Sequence, residues 1–331
     1  MVCNYKPGVG GISGQVEALQ RQLQNEGHQV EIFNTKSSIW NRLRMIPRLR
    51  RLAGGFDVIH IHCCSDWGFL PAVIGVTACR KLGKRLVLTY HGGGGERFFA
   101  KHPKLVRRYL TQTDANIVLS GFLASVFDQH HLPYVIIPNI IKLDSKSYRE
   151  RLTLHPLFIC VRAHEELYNI PCLMKAFKRV QAQLPDAKLT LVGSGSQHEK
   201  LKQLAEQMTL CNVTFTGQVP NSEIYNYINE SDIMLSSPKS DNMPVSLLEA
   251  MNAGLLVISS RVGGVPYMIT DYRDGLLFES DNDADLADKM LWALNHQSES
   301  LKLAKQGHHV ATQYLWENVR VRIYAAYGYP L

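Results

Sequence analysis

The chain has 331 residues, of which 45% are hydrophobic and 20% are charged, a composition typical of a soluble globular protein with room for two domains. No apolar run reaches the length of a membrane span, and the first residues lack the apolar core of a secretory signal. Seven scattered cysteines without a Cys-x-x-Cys pair predict a reduced, cytoplasmic protein without a zinc site.

Much of the net charge of +7 lies in two basic segments, Arg42–Arg51 and Lys101–Arg108. In the first, arginines are interleaved with Leu, Met and Ile. Such a segment predicts either peripheral contact with an anionic membrane or an ordinary solvated helix face, and the pattern favours neither. The sequence lacks a recognisable nucleic-acid module, so nucleic acid is not expected as a partner.

The first 140 residues alternate short Val/Ile/Leu runs with helical periods. Strands are predicted at 2–4, 30–33, 58–62, 85–89, 115–119 and 134–137, and helices between them at 14–26, 68–82 and 122–129. Continuous apolar runs separated by helices predict a parallel sheet covered on both faces. The first strand is short, because the first glycine loop follows almost at once.

The same alternation restarts after a looser segment, 139–156, which we interpret as a linker. Strands are predicted at 158–161, 188–192, 213–215, 233–236 and 256–259, and helices at 172–184, 197–208, 222–228, 244–253 and from 283 onward. The predicted fold class is therefore α/β, with two doubly wound, Rossmann-like parallel-sheet domains that face each other across a cleft. The predicted domains are 1–145 and 146–310, with a C-terminal helix, 311–331, that packs back on the first domain.

The most informative segment runs from Asp241 to Gly254, between two predicted strands. Asp241 is placed in a loop at the carboxyl end of a strand, and Glu249 just over one turn into the following helix. The unpaired amides of 245–248 lie between these carboxylates and suit a phosphate, while the carboxylates suit sugar hydroxyls. This pattern predicts a nucleotide-sugar site. The alternative, a capping aspartate and a surface glutamate, is less favoured because Gly263–Pro266 and the flanking strands extend the pattern.

Other predicted strand ends carry glycines and single polar residues. Gly10 and Gly11 follow the first strand and let a backbone approach a phosphate, although a tight turn needs glycine anyway. His91 precedes four glycines and is either a ligand-binding residue or a histidine at the edge of the core. Arg162 suits a diphosphate leaving group, with a surface salt bridge as the alternative.

Two further turns complete the predicted site. Gly193 and Gly195 form another glycine loop, and the turn that ends at Val219 is placed to contact a base edge. Asp281 and Asp283 resemble a metal motif, but capping of a late helix explains them better. No metal site is therefore expected.

These residues resemble the retaining GT-B glycosyltransferases of family four, which include sucrose-phosphate synthases and bacterial mannosyl- and glucosyltransferases. The resemblance covers nearly the whole chain and is most specific at Ser236–Pro266, where the family reads Glu, seven residues, Glu, then Ala-Met-Ala-x-Gly. It implies that Asp241 contacts the donor sugar, Glu249 the ribose, and His91 and Arg162 the reacting groups. The strand-end pattern and the resemblance together predict a set of donor-binding residues: Gly10, Gly11, Gly193, Gly195, Val219, Asn242, Met243, Pro244, Val245, Ser246, Leu247, Leu248 and Glu249.

Two residues depart from the family pattern. The family usually has a lysine shortly after the arginine, and no lysine stands at the matching place after Arg162, where His164 is the nearest substitute. Aspartate replaces glutamate at position 241, which shortens that contact by one methylene.

The resemblance thus implies a retaining, metal-independent glycosyltransferase without a cofactor, with 1–145 as the acceptor domain and 146–310 as the donor domain. The resemblance implies a nucleoside-diphosphate sugar donor, with UDP the commonest base, and a donor phosphate that helps to accept the acceptor proton. The basic Arg42–Arg51 segment motivates a glycan or lipid-linked acceptor, as in assembly of bacterial surface polysaccharide or glycolipid. Two alternatives stay open: a catalytically silent nucleotide-sugar-binding partner subunit, and a GT-B sugar-nucleotide epimerase.

Overall fold

The structure is a computed structural model that describes residues 1–7, 10–36, 39–141 and 148–329; for residues 39–43 it describes the backbone alone. The chain divides into two compact units. Unit 1 comprises Met1–Ile140 and Trp316–Leu331, and unit 2 comprises Ile141–Leu315. These boundaries differ by a few residues from those predicted at 145 and 310. Residues 142–147 of the predicted linker lie outside the described residues.

Unit 1 contains a six-stranded parallel sheet. Its strands are β1 (Val2–Cys3), β2 (Phe33–Asn34), β3 (Val58–Cys63), β4 (Arg85–Tyr90), β5 (Ala115–Val118) and β6 (Val135–Ile136). They lie in the order β2-β1-β3-β4-β5-β6. The helices of this part are α1 (Ile12–Asn25), α2 (Ile39–Ala53), α3 (Leu70–Cys79), α4 (Gly95–Lys101), α5 (Pro103–Leu110) and α6 (Gly121–Gln129), with a 3₁₀ turn at Asp66–Phe69.

The second strand is shorter than predicted and begins later. The sequence predicts it at 30–33, whereas β2 contains only Phe33 and Asn34. The reason is its partner: β1 offers two residues, Val2 and Cys3, and these pair with Phe33 and Asn34. An apolar run therefore does not become a strand where no neighbour supplies hydrogen bonds.

Unit 2 repeats the architecture with a second six-stranded parallel sheet. Its strands are β7 (Leu157–Val161), β8 (Lys188–Val192), β9 (Val213–Gly217), β10 (Ile233–Ser236), β11 (Leu256–Ser260) and β12 (Leu276–Phe278), in the order β12-β11-β10-β7-β8-β9. The helices are α7 (Ile170–Gln181), α8 (His198–Gln207), α9 (Ile224–Asn229), α10 (Val245–Asn252), α11 (Asp283–Asn295) and α12 (Gln297–Ala311), with 3₁₀ turns at Glu166–Tyr168, Val265–Tyr267 and Thr312–Tyr314. The predicted α/β class with two doubly wound parallel sheets is confirmed.

The last helix, α13 (Trp316–Tyr327), belongs to unit 1 although it follows all of unit 2 in the chain. Its apolar side chains Trp316, Val319 and Ile323 share a buried cluster with residues of α1, β4 and β5. At the end of α1, the Glu26 carboxylate accepts a hydrogen bond of 2.7 Å from the Trp316 indole and lies 3.2 Å from Arg320. Residues from the far end of the described chain therefore complete the hydrophobic core of unit 1 beside α1, β4 and β5.

Tyr327 of α13 also makes a buried polar contact, with His60 of β3, and this contact predicts a measurable stability loss. Its hydroxyl lies 2.8 Å from Nδ1 of His60, which is 3% exposed. We expect Tyr327→Phe to lower the free energy of unfolding by about 1–3 kcal/mol, because it leaves a buried ring nitrogen without its partner. Urea unfolding measures this loss. Tyr267→Phe, at a side chain that is 59% exposed, is the control and should change stability by less than about 0.5 kcal/mol. Equal values for the two variants would contradict the prediction.

Among the described residues, no helix combines the length and the hydropathy that a membrane crossing requires.

Candidate functional site

In unit 2, the carboxyl ends of β7 and β10 bring an arginine and an aspartate together. Arg162 directly follows β7, and Asp241 lies in the loop after β10. Nη2 of Arg162 is 3.0 Å from Oδ2 of Asp241, and both side chains are largely covered. Nη2 also donates to the Ser236 hydroxyl at 3.3 Å. Two groups that the sequence assigns to different roles are thus ion-paired in the free protein.

This ion pair leaves hydrogen-bonding capacity in a buried place. Nε of Arg162 and Oδ2 of Asp241 are both buried, and neither makes an aligned hydrogen bond to another described residue. The other carboxylate oxygen, Oδ1, accepts from the amide of Asn242 at 2.8 Å. Buried polar atoms without partners are costly, so this pair is suited to exchange its contact for one with a ligand.

The ring of Tyr168 lies beside the guanidinium of Arg162. Tyr168 ends the 3₁₀ turn Glu166–Tyr168, and its ring centroid lies 5.1 Å from Cζ of Arg162. A cation above an aromatic face is stabilised by the ring quadrupole. No sequence motif predicts this role of Tyr168. The only signal for it was a tyrosine close to the place where the family has its second cation.

The helix after the aspartate begins as the sequence predicts, but its first amides are not all free. α10 begins at Val245, with Pro244 as the preceding cap residue. The amide of Leu247 donates to the Pro244 carbonyl at 3.2 Å, a tight i→i−3 contact. The expectation that all four amides of Val245–Leu248 are unpaired is therefore wrong for Leu247, because the first turn narrows toward 3₁₀ geometry.

Side chains of this loop and helix divide between the core and the helix start. Met243, Leu247 and Leu248 are buried. Their side chains therefore anchor the segment in the core and do not contact a ligand. By contrast, the Ser246 hydroxyl is buried and has no hydrogen-bond partner among the described residues. A buried hydroxyl in the first turn adds a polar group where the helix dipole favours an anion.

Two glycines after β11, Gly263 and Gly264, pack closely against the backbone of the loop that contains Asp241 and Asn242. The Gly264 amide donates to the Asp241 carbonyl at 3.0 Å. A Cβ atom at Gly263 would lie 2.0 Å from the carbonyl oxygen of Asp241, and one at Gly264 would lie 1.9 Å from that of Asn242. Only glycine fits here, so these residues position Asp241 through its backbone.

Gly193 and Gly195 play the same part for Arg162. Gly193 has φ +137, and a Cβ there would lie 2.0 Å from the carbonyl oxygen of Arg162. A Cβ at Gly195 would lie 2.6 Å from the carbonyl oxygen of His164. In addition, the Arg162 amide donates a hydrogen bond to the Val192 carbonyl at 3.0 Å. The glycine loop therefore packs on the strand end that carries the arginine. Val219 lies beyond β9 in a half-exposed turn, which follows Gly217 with φ +70.

In unit 1, the glycines at the start of α1 stand in open space. Gly11 precedes the helix with φ +66, and a Cβ atom at Gly10 or Gly11 would meet no atom of the described residues within 4 Å. No packing requirement explains Gly10, so its lack of a side chain leaves the helix start accessible. Gly8 and Val9 of the same loop lie outside the described residues.

His91 lies at the carboxyl end of β4 and is half-buried. Its amide donates to the Cys63 carbonyl at 2.8 Å, and its Nε2 lies 3.0 Å from Nδ1 of His62. Burial lowers the pKa of His91 to about 4, so the ring is neutral at pH 7. His62 is not among the predicted site residues. Its signal was the alternation of His60 and His62 in one strand, which directs both side chains to the same face.

Within the described residues, no three His, Cys, Asp or Glu side chains are grouped so that they could hold a metal ion. Of the predicted late acidic segment, Asn282 caps α11 by accepting from the Asp285 amide at 3.1 Å. Asp281 and Asp283 instead bond Asn169 and Arg179, at 2.9 and 2.7 Å.

Comparison with known proteins places this geometry in a family. The model of the glycosyl transferases group 1 family matches residues 146–310, and that of glycosyltransferase family 4 matches residues 33–145. The chain belongs to the glycosyl transferases group 1 family. It is a glycosyltransferase of the GT-B type, which confirms the family that the sequence resembles.

Three similar proteins illustrate the range of the family. The alpha-monoglucosyldiacylglycerol synthase of Streptococcus pneumoniae is 26% identical over 347 residues, which cover 88% of this chain and 76% of that protein. The sucrose-phosphate synthase of Thermosynechococcus elongatus superposes with a TM-score of 0.81 at 17% identity, over 99% of this chain and 95% of that one. HepE of Anabaena, in complex with UDP and glucose, has a TM-score of 0.73 at 16% identity, over 93% of this chain and 88% of that one. At these identities the two structures show the fold alone.

Proposed function

We propose that the chain is a retaining, metal-independent glycosyltransferase that moves a sugar from a nucleoside-diphosphate sugar to an acceptor hydroxyl. The observation that carries the proposal is the Arg162–Asp241 pair, 3.0 Å apart, in the same loop cluster as the start of α10. One cation, one carboxylate and a helix N-terminus are the groups that a diphosphate attached to a sugar requires.

The proposed reaction uses each group where charge develops. When the glycosidic bond to the diphosphate breaks, negative charge grows on the leaving phosphate. The guanidinium of Arg162 and the amides at the start of α10 stabilise that charge, and they need no metal or cofactor to do so. When the donor binds, it replaces the contact between Arg162 and Asp241. The diphosphate contacts Arg162, and sugar hydroxyls contact Asp241. Glu249, in the second turn of α10, is the proposed partner of the ribose, while His91 of unit 1 contacts the reacting sugar.

We propose UDP as the nucleotide of the donor. HepE, which has the same fold, was crystallised with UDP and glucose, and this supports a uridine nucleotide. The backbone of the turn at Val219 is the proposed contact for the base. Gly10 and Gly11, which carry no side chain and stand in open space, are proposed to let a donor phosphate approach.

For the acceptor, we propose a glycan or lipid-linked molecule that is met at the cytoplasmic face of a membrane, as in surface polysaccharide or glycolipid assembly. The similar Streptococcus pneumoniae protein is named as a synthase of a glycosylated diacylglycerol. On α2, Arg44, Arg48, Arg50 and Arg51 are exposed while Met45 and Leu49 are buried, so a basic face is presented to solvent. Such a face suits anionic headgroups. The side chain of Arg42 lies outside the described part of the segment.

A second candidate function is a silent nucleotide-sugar-binding subunit. The observation that favours it is that the neighbour of Arg162 is the uncharged ring of Tyr168, and that no lysine follows Arg162 in the segment where the family has a second cation. With one cation fewer, the site still binds a diphosphate but stabilises less charge in the transition state. An epimerase with the same architecture is distinguished by its product, a nucleotide sugar with altered stereochemistry.

The direct test is thermal unfolding of the protein with a panel of nucleoside diphosphates and nucleotide sugars, with and without EDTA. At 100 times its dissociation constant, a bound ligand should add about 2.7 kcal/mol to the stability, so Tm rises. We expect the UDP series to raise Tm, and we expect EDTA to leave the shift unchanged. A shift that EDTA abolishes would contradict metal independence. No shift with any diphosphate would reject the donor site, while binding without transfer or donor hydrolysis would favour the silent subunit.

A further inference from the structure

Three histidines form a connected row along β3 and β4 of unit 1. The rings of His60 and His62 lie 4.1 Å apart, and those of His62 and His91 lie 5.3 Å apart. His60 and His62 are 3% exposed, so only His91 reaches the edge of the sheet where a ligand can approach. The row links the proposed catalytic histidine to the interior of the unit.

Each ring in the row is neutral, so each carries one proton on one of its two nitrogens. Burial lowers the pKa of His60 and His62 well below the ordinary value and that of His91 to about 4. His60 uses both nitrogens: Nδ1 lies 2.8 Å from the Tyr327 hydroxyl, and Nε2 lies 2.7 Å from the Thr89 hydroxyl. The next pair is simpler, because a single proton must lie between Nδ1 of His62 and Nε2 of His91, 3.0 Å apart.

The far nitrogen of His62 decides which ring donates that proton. Nε2 of His62 is buried and has no hydrogen-bond partner among the described residues. If His91 donated, His62 would carry its own proton on Nε2 and bury an unpaired N–H group. Orphaned buried N–H groups are rare, whereas acceptors with unused lone pairs are better tolerated. The proton of His62 is therefore on Nδ1.

We propose that His62 is a positioning residue that fixes the tautomer of His91. His62 donates through Nδ1 to Nε2 of His91, and this leaves the proton of His91 on its own Nδ1. His91 then presents an N–H donor, not a basic nitrogen, at the carboxyl edge of the sheet. The ligand group that fits is a hydrogen-bond acceptor, either a sugar hydroxyl oxygen or a phosphate oxygen. The contact to substrate rests on the proposed function; the tautomer does not.

The tautomer is tested first, on the protein without substrate. Long-range ¹⁵N–¹H correlation spectra of protein with ¹⁵N-labelled histidine distinguish the Nδ1–H from the Nε2–H form, and loss of a signal in His91→Gln assigns His91. We expect the Nδ1–H form for both His62 and His91. An Nε2–H form of His91 would overturn the proposal.

Two variants of His62 then test its role. In His62→Asn, the side-chain amide offers an N–H donor close to the place of Nδ1–H, so His91 should keep its tautomer and most of the activity. In His62→Leu, which fills the space without a donor, the Nδ1–H signal of His91 should weaken or shift to the other form. The loss in kcat/KM should be about 10- to 100-fold, as for other residues that orient a functional histidine.

The control measurements separate this inference from a folding defect and from the proposed function. His131→Leu, a surface histidine in the turn after α6, should leave the spectrum of His91 and the activity unchanged. UDP binding by His62→Leu, measured by its Tm shift, should match that of the unchanged protein if His91 contacts a sugar hydroxyl, and should weaken if His91 contacts a phosphate oxygen. Equal activity of His62→Leu and the unchanged protein would overturn the positioning role. If the unchanged protein transfers no sugar from any donor, the proposed function fails, and the spectra alone decide the tautomer.

Discussion

Arg162→Ala is expected to lower kcat by about 100- to 1000-fold, the loss typical of removing one preorganised group that stabilises developing charge. Nη2 of Arg162 lies 3.0 Å from Asp241 and 3.3 Å from the Ser236 hydroxyl, which hold the guanidinium at the strand end. Steady-state kinetics with the donor identified by thermal shift measure the effect. The loss should appear mainly in kcat, because the charge on the leaving phosphate is largest in the transition state.

Two further variants make this prediction sharp. Arg162→Lys keeps the charge but loses the planar fork and its fit to the Tyr168 ring, so it should recover only part of the rate. Arg179→Ala is the matched control, since Arg179 also pairs with an aspartate in unit 2, Asp283 at 2.7 Å, but on the exposed surface of α7. Its kcat should be unchanged. If Arg162→Ala retained full turnover, the assignment of the donor site to this strand end would fail.

Gly264→Ala is expected to damage both stability and catalysis. The added Cβ would lie 1.9 Å from the Asn242 carbonyl oxygen, so the backbone of the acidic loop must move. Strain of this kind costs about 1–3 kcal/mol, and a displacement of the reacting groups by about 1 Å costs roughly 100-fold in rate. Urea unfolding and steady-state kinetics check the two effects separately.

Gly55→Ala provides the comparison for Gly264→Ala. A Cβ at Gly55 would meet only the Leu52 carbonyl oxygen, at 3.7 Å, which is an ordinary van der Waals distance. Stability and activity of this variant should therefore stay close to those of the unchanged protein. A Gly264→Ala protein that matched it in both would show that the close approach of the two loops has no part in holding Asp241.

The sequence predicts those parts of the fold that follow from strong local periodicity. β3, β4, β10 and β11 are rich in Val, Ile and Leu, and they appear where the sequence predicts strands. Parallel strands end at one edge of a sheet, and so the positions of Arg162 and Asp241 followed from their place after a strand. By contrast, the extent of β2 depended on the number of residues that β1 offers for pairing, which no local pattern contains.

The details of the site were less accessible because they depend on contacts between distant segments. The ion pair of Arg162 with Asp241 joins residues 79 positions apart, and its ring neighbour Tyr168 is recognised only by its distance from the guanidinium. Gly193 and Gly264 lie in segments that were expected near a ligand. The structure shows that Gly193 packs against the backbone carbonyl of Arg162 and Gly264 against that of Asn242. The alternation of His60 and His62 indicates a shared face, but the contact of His62 with His91 could not be predicted, because His91 follows a different strand, β4.

The return of α13 to unit 1 has a consequence for the order of events during translation. All of unit 2 is synthesised before Trp316 leaves the ribosome, whereas the apolar surface of α1, β4 and β5 that α13 covers has emerged long before. Unit 2 therefore emerges from the ribosome before α13 does, and the apolar surface of unit 1 that α13 covers stays open until α13 has emerged. The segment synthesised first is the one that finishes folding last, and an exposed apolar face on the ribosome is the surface that a chaperone would protect.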